Sequence, residues 1–113
     1  MAFKRLDPQT ATDLDMIKSR IRAVPDFPQK GILFRDITPL LKDGAAYRRC
    51  IDLLADMVSR YDFDYIAGIE SRGFLLSPLS YKTEKGFLLV RKDGKLPFTK
   101  IKRNTCWNMV RRP

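Results

Sequence analysis

The stretch that decides the fold reads Phe63-Asp64-Tyr65-Ile66-Ala67-Gly68-Ile69-Glu70-Ser71-Arg72-Gly73-Phe74. Its first half is an apolar run of β-forming residues, which predicts a buried strand over residues 65–69. An acid, a hydroxyl, an arginine and a glycine follow at once, as in a tight turn at the carboxyl end of a parallel strand. Because open α/β sheets bind ligands at that edge, residues 70–73 are the first candidate site.

The segments around this strand predict a parallel βαβ unit. Apolar spacing indicates helices over residues 13–24, 45–60 and 74–82, and strands over residues 31–34, 65–69 and 87–90. A helix between two buried strands implies a right-handed crossover. We therefore expect an α/β fold with a parallel sheet flanked by helices.

Composition narrows the class of protein. The 113 residues are 44% apolar and 31% charged, which is typical of a globular protein of one domain. No apolar run approaches the roughly 20 residues of a membrane span, and no signal peptide is indicated. Cys50 and Cys106 have neither metal-site nor disulfide-framework spacing, which favours a reducing, cytoplasmic setting. The absence of histidine excludes His-based acid–base catalysis and most zinc sites.

The net charge of +9 is concentrated at the end of the sequence. Residues 1–90 carry 14 basic and 12 acidic side chains, whereas residues 91–113 carry 8 and 1. Residues 98–113 lack an amphipathic period, so we expect an irregular basic tail after a domain formed by residues 1–97. A small nucleic-acid-binding module is an alternative, but Phe98 and Trp107 are not interleaved with the charges as a stacking platform requires. Nucleic acid is therefore not the expected partner.

Polar residues follow three strand-like runs. These loops are Arg35-Asp36, Glu70-Ser71-Arg72-Gly73 and Arg91-Lys92-Asp93-Gly94-Lys95. If all three meet at one sheet edge, their cations, hydroxyl and backbone N–H groups suit a phosphate or pyrophosphate. The competing interpretation is that they are solvated loop charges.

Three segments are distinctive when taken together. They read Phe27-Pro28-Gln29-Lys30-Gly31-Ile32-Leu33-Phe34-Arg35-Asp36-Ile37-Thr38-Pro39-Leu40-Leu41, Asp64-Tyr65-Ile66-Ala67-Gly68-Ile69-Glu70-Ser71-Arg72-Gly73-Phe74 and Val90-Arg91-Lys92-Asp93-Gly94-Lys95-Leu96-Pro97. In this order and spacing they resemble the adenine phosphoribosyltransferase family, over about residues 13–97. The resemblance implies the N-terminal part of a phosphoribosyltransferase-type parallel sheet, which would be incomplete here.

The resemblance also implies a reaction and its site. Adenine and phosphoribosyl pyrophosphate would give AMP and pyrophosphate with Mg²⁺, in purine salvage, in a cytoplasmic homodimer. By the family pattern Phe34 stacks on adenine, while the backbones of Leu33 and Arg35 read its edge. Phe27 is interpreted as core packing.

By the same family pattern, the residues expected to bind the pyrophosphate are Ser71, Arg72, Arg91 and Lys95. The resemblance further implies a cis peptide bond between Glu70 and Ser71. It assigns no metal ligand and no catalytic residue within this sequence.

Two family elements are missing. One is a strand ending in two acids before Thr-Gly-Gly-Thr, which would hold the ribose 5-phosphate; the other is the lid Tyr-x-Leu-Glu-Tyr-Gly. If the possible codons of residues 104–110 are translated from the third base of the Asn104 codon, a lid-like motif appears. Its distance from the Pro97 codon is one base shorter than the usual spacing in the family. We therefore expect a truncated chain, frameshifted after about Pro97 and inactive alone. The alternative is a non-catalytic fragment that pairs with an intact homologue.

Overall fold

The computed structural model describes residues 7–92, 94–96, 100–102 and 107–110. The helices are α1 (Pro8–Ser19), α2 (Thr38–Lys42), α3 (Gly44–Val58), α4 (Glu70–Phe74) and α5 (Pro78–Thr83). The strands are β1 (Arg22–Pro25), β2 (Leu33–Asp36), β3 (Tyr65–Ile69), β4 (Gly86–Lys92), β5 (Lys100–Lys102) and β6 (Trp107–Val110). The chain divides within α3, between Leu53 and Leu54, into two compact units.

The first helix begins earlier than the apolar spacing predicts. The Asp7 carboxylate caps α1 by accepting hydrogen bonds from the backbone N–H (2.9 Å) and the hydroxyl (2.8 Å) of Thr10. Pro8 then occupies the first turn, where its missing N–H costs nothing. The expected helix over residues 13–24 is therefore wrong at both ends, because its last residues form β1 instead.

β1 and β2 form an antiparallel ribbon in the first unit, with Arg22 opposite Asp36. Nε and Nη2 of Arg22 donate to one oxygen of Asp36 (3.2 and 2.5 Å), while the Thr38 backbone N–H donates to the other (2.9 Å). The Arg22 hydrogen bonds, followed by those of Thr38, lower the pKa of the Asp36 carboxyl from 3.8 to about 2.

This ribbon corrects the expected position of Arg35. Because Arg35 pairs with Ala23 inside β2, it does not follow a strand of the parallel sheet. The three polar loops thus do not all end strands of one sheet. The local cause is β1, which supplies β2 with an antiparallel partner.

A small apolar core stabilises the first unit. Ile17 of α1, Leu40 of α2 and Ala46 of α3 are buried together. Asp13 is also buried, and its carboxylate accepts from Gln9 Nε2 (3.0 Å) and lies 3.5 Å from Arg49 Nε. The buried charge is therefore paired, as burial of a carboxylate requires.

The second unit contains the predicted βαβ arrangement. β3 pairs in parallel with β4, from Tyr65 opposite Gly86 to Ile69 opposite Val90, and α4 and α5 connect the two strands. This parallel pair confirms the α/β fold class. No helix within the described ranges has both the length and the apolar character needed to cross a bilayer.

Two expectations for this unit are wrong. β3 is not buried on both faces, because Ala67 is exposed and the Ile69 side chain is 59% exposed. The segment after Pro97 is not irregular throughout, since β5 and β6 extend the sheet in the order β3-β4-β6-β5. β6 pairs antiparallel with the edge of β4 that β3 leaves open, which satisfies backbone groups there.

The Arg22–Asp36 pair generates a prediction about acid stability. Asp36→Asn should lower the free energy of unfolding at neutral pH, because the charged acceptor is lost. With a folded pKa of about 2 against an ordinary 3.8, this contribution is complete above pH 3.8 and is lost as pH falls through about 2. Urea unfolding of wild type and variant across that range measures it.

Asp62→Asn is the matched control, since Asp62 is exposed and outside this network. The difference in free energy of unfolding between Asp62→Asn and wild type should be the same at neutral pH and near pH 2. If the Asp36→Asn difference were as large near pH 2 as at neutral pH, the pairing described here would be contradicted.

Candidate functional site

The turn from β3 into α4 depends on two glycines in direct contact. A Cβ on Gly73 would lie 2.7 Å from the carbonyl carbon of Gly68. A Cβ on Gly68 would lie 2.8 Å from the Gly73 oxygen and 2.3 Å from Cζ of Phe87. No real Cβ approaches backbone so closely, so both positions require glycine for the strand and helix to meet.

The backbone of Glu70 makes the sharp change of direction at this turn. Its φ is +52°, in the left-handed region that a glutamate rarely adopts. The expected cis bond between Glu70 and Ser71 is wrong: among the described residues the cis bond is Phe27–Pro28. The positive φ of Glu70 places local strain in its backbone.

The carboxylate of Glu70 binds the end of the neighbouring strand. Its Oε1 accepts a hydrogen bond from the backbone N–H of Lys92 (2.7 Å), and its Oε2 lies 3.3 Å from Arg91 Nη2 and 3.8 Å from Lys95 Nζ. The Lys92 hydrogen bond, then the Arg91 hydrogen bond and the charges of Lys95 and Arg91, lower the pKa of Glu70. Arg91 and Lys95, which are predicted to bind pyrophosphate, therefore both contact the carboxylate of Glu70.

Local geometry brings these cations to the sheet edge. The backbone N–H of Lys95 donates to the Lys92 carbonyl (3.3 Å), and Gly94 has a φ of +85°. The turn directs Lys95 back towards the end of β4. The Arg91 guanidinium carbon lies 5.4 Å from the centre of the Phe74 ring, within cation–π distance.

The remaining pyrophosphate candidates follow Glu70 directly. Ser71 and Arg72 occupy α4, and both side chains are exposed. The second unit therefore brings together Ser71, Arg72, Arg91 and Lys95 around the carboxyl ends of two parallel strands, which is where such sheets bind ligands.

The adenine candidates lie on β2, in the first unit. Leu33 and Arg35 are exposed, while Phe34 is half-buried and its ring centre lies 5.1 Å from that of Phe27 in an edge-on contact. Phe27 is itself 50% exposed, so its interpretation as core packing is wrong. In the described part of the chain β2 pairs with one strand, β1.

Metal-binding chemistry is sparse in the described residues. They contain no group of three or more carboxylate, histidine or cysteine side chains that could hold an ion. Cys50 is a half-buried free thiol, and burial raises its pKa.

Sequence reasoning missed the role of Glu70, although the signal was present. Glu70 directly follows Ile69 on β3, and Arg91 directly follows Val90 on β4. Because Ile69 lies opposite Val90, Glu70 and Arg91 become neighbours. The sequence pattern contained both residues and lacked only the register of the two strands, which makes them neighbours.

The fold defined by these features is that of the phosphoribosyltransferases. A solved adenine phosphoribosyltransferase from Thermoanaerobacter pseudethanolicus matches 86% of this chain and 60% of its own, with TM-score 0.78 and 46% identity. That from Saccharomyces cerevisiae, complexed with an imino-altritol bisphosphate and adenine, matches 88% and 62%, with TM-score 0.78 and 35% identity.

Sequence comparison finds similarity to one particular enzyme of this fold. The adenine phosphoribosyltransferase of Thermotoga neapolitana is 56% identical over 86 residues, which are 75% of this chain and 51% of the relative. Over the matched residues the chain is similar to adenine phosphoribosyltransferases. It spans about half the length of the curated relatives it matches. No protein-family model matches the chain.

The contact between the glycines generates a second prediction. Gly73→Ala should destabilise the protein by about 1–3 kcal/mol, because its Cβ meets backbone that cannot move aside. Gly44→Ala is the control, since a Cβ there has no neighbour within 4 Å and alanine suits a helix. Urea unfolding measures both. Equal stability of the two variants would rule out the close approach.

Proposed function

We propose that this chain comes from an enzyme that transfers a phosphoribosyl group to adenine in purine salvage. A nitrogen of adenine attacks the anomeric carbon of phosphoribosyl pyrophosphate, and the bond from that carbon to the pyrophosphate oxygen breaks. AMP forms, pyrophosphate leaves with the bonding electrons, and the proton of the attacking nitrogen is released. The protein's task is to position the reactants and stabilise the leaving charge.

The cation cluster of the second unit carries this proposal. Arg91 and Lys95 contact the carboxylate of Glu70, and Arg72 follows Glu70 on α4. The positive charges of these residues therefore exceed the one negative charge of Glu70. Guanidinium and ammonium groups at the edge of a parallel sheet suit a pyrophosphate, which offers many acceptor oxygens. We assign Ser71, Arg72, Arg91 and Lys95 to pyrophosphate binding.

β2 supports an adenine site in the first unit. Leu33 and Arg35 are exposed and carry backbone donors and acceptors of the kind that the edge of a purine needs, and Phe34 offers a half-buried aromatic ring for stacking. The yeast relative was solved with adenine bound. We assign Leu33 and Arg35 to base-edge recognition through their backbones, and Phe34 to stacking.

We further propose that Mg²⁺ accompanies the pyrophosphate group. Mg²⁺ keeps several waters and commonly binds through substrate phosphates rather than through a cage of protein ligands. A cytoplasmic homodimer completes the proposal, and sedimentation equilibrium tests the dimer by its mass.

Binding measurements on the 113-residue chain test the two half-sites separately. Arg72→Ala should weaken inorganic pyrophosphate binding about tenfold or more and leave adenine binding unchanged, because charge-assisted hydrogen bonds are lost. Phe34→Ala should do the reverse, since base stacking contributes on the order of 1–3 kcal/mol. Isothermal titration calorimetry with each ligand measures both effects.

Arg60→Ala is the control for loss of a positive charge, because Arg60 is exposed and precedes β3 by several residues. It should change neither affinity by more than about twofold. Equal loss of pyrophosphate binding in Arg60→Ala and Arg72→Ala would mean that the anion responds to net charge, and would remove the assigned site.

A further inference from the structure

We propose that Glu70 is an internal competitor for the pyrophosphate site: its carboxylate occupies Arg91 and Lys95 in the unliganded protein, and a polyanion binds by displacing it. This inference rests on the proposed function, because it concerns the same cations. It adds a role for an acid that neither the sequence pattern nor the resemblance assigned to the ligand.

The carboxylate has the geometry of a bound anion. One oxygen accepts the Lys92 backbone N–H at 2.7 Å, and the other faces Arg91 at 3.3 Å and Lys95 at 3.8 Å. Glu70 is held there by its left-handed backbone at the glycine-dependent turn. An internal group therefore makes contacts to the strand end and cations that an oxygen of a phosphate could also make.

The contacts to the cations are weak enough to exchange. The N···O distances of 3.3 and 3.8 Å are longer than those of strong charge-assisted hydrogen bonds. Within the described residues Nε of Arg91 is buried and has no hydrogen-bond partner. The guanidinium is thus only partly satisfied by Glu70, and its Phe74 contact holds the guanidinium without using a donor.

The charges explain what the competitor achieves. Glu70 cancels one of the two positive charges of Arg91 and Lys95, so a small anion meets a weakened attraction. A pyrophosphate carries several negative charges and can bind both cations at once, so it replaces the carboxylate. Glu70 thereby keeps the cations in place at the sheet edge and disfavours weak anions such as inorganic phosphate.

Glu70→Gln tests the idea cleanly, because the amide oxygen can still accept the Lys92 N–H while the negative charge is gone. Titration of the full chain should show about fivefold tighter binding of inorganic pyrophosphate in the variant, and a larger gain in affinity for inorganic phosphate, which competes less well with the carboxylate. Glu84→Gln is the matched control: it removes the same charge from an exposed site in the same unit and should change affinity less than about twofold.

A second measurement does not depend on a variant. The pKa of the Glu70 carboxyl, followed by carbon-13 NMR in wild type, should rise when pyrophosphate saturates the site, because the carboxylate loses its cations and gains an anionic neighbour. A pKa that stays unchanged or falls on saturation would overturn displacement.

The outcomes separate this inference from the proposed function. If wild type binds pyrophosphate but Glu70→Gln binds no tighter than Glu84→Gln, the competitor role is wrong and the pyrophosphate site stands. If neither wild type nor Glu70→Gln binds pyrophosphate, both fall. Binding by Glu70→Gln alone would support the competitor role in its strongest form.

Discussion

The contact between Gly68 and Gly73 is the constraint on which the rest of the second unit depends. A side chain on either residue would collide with the backbone of the other, so the helix can follow the strand only while both are glycine. At this close approach of strand and helix, Glu70 has a left-handed backbone conformation, with a φ of +52°. The Glu70 carboxylate contacts the end of the neighbouring strand, where it lies close to Arg91 and Lys95.

The polar edge therefore differs from a simple collection of cations. Its positive groups are already arranged around an acid, at distances that allow exchange with a stronger anion. A cluster arranged in advance loses less entropy when a ligand binds, which is the general benefit of preorganisation. The same carboxylate that orders the cations also lowers their attraction for anions that bind weakly.

Much of the second unit could be predicted from the sequence. The apolar runs of β3 and β4, with a helix predicted between them over residues 74–82, implied the parallel pair. The exposure of Ile69 could not be predicted, because apolar runs do not reveal whether both faces of a strand are covered. The pairing of Glu70 with Arg91 required the strand register, which no local pattern contains.

The first unit was harder to predict. β1 is short and includes a proline, and only its antiparallel pairing with β2 makes it a strand. Asp7 and Pro8 together signal a helix start, and this signal outweighed the apolar spacing that favoured residue 13. The motif around Phe34 nonetheless located the candidate adenine strand, although the partners of that strand were missed.

The central claim is that the sheet edge, and not the basic tail, binds the polyanion. A nitrogen-15 NMR titration of the full chain with inorganic pyrophosphate tests it residue by residue. The account predicts that the largest shift changes occur at the backbone amides of residues 70–73 and of Lys92 and Lys95. Changes confined to residues 98–113, with the turn after β3 unaffected, would contradict it and favour a nonspecific basic segment.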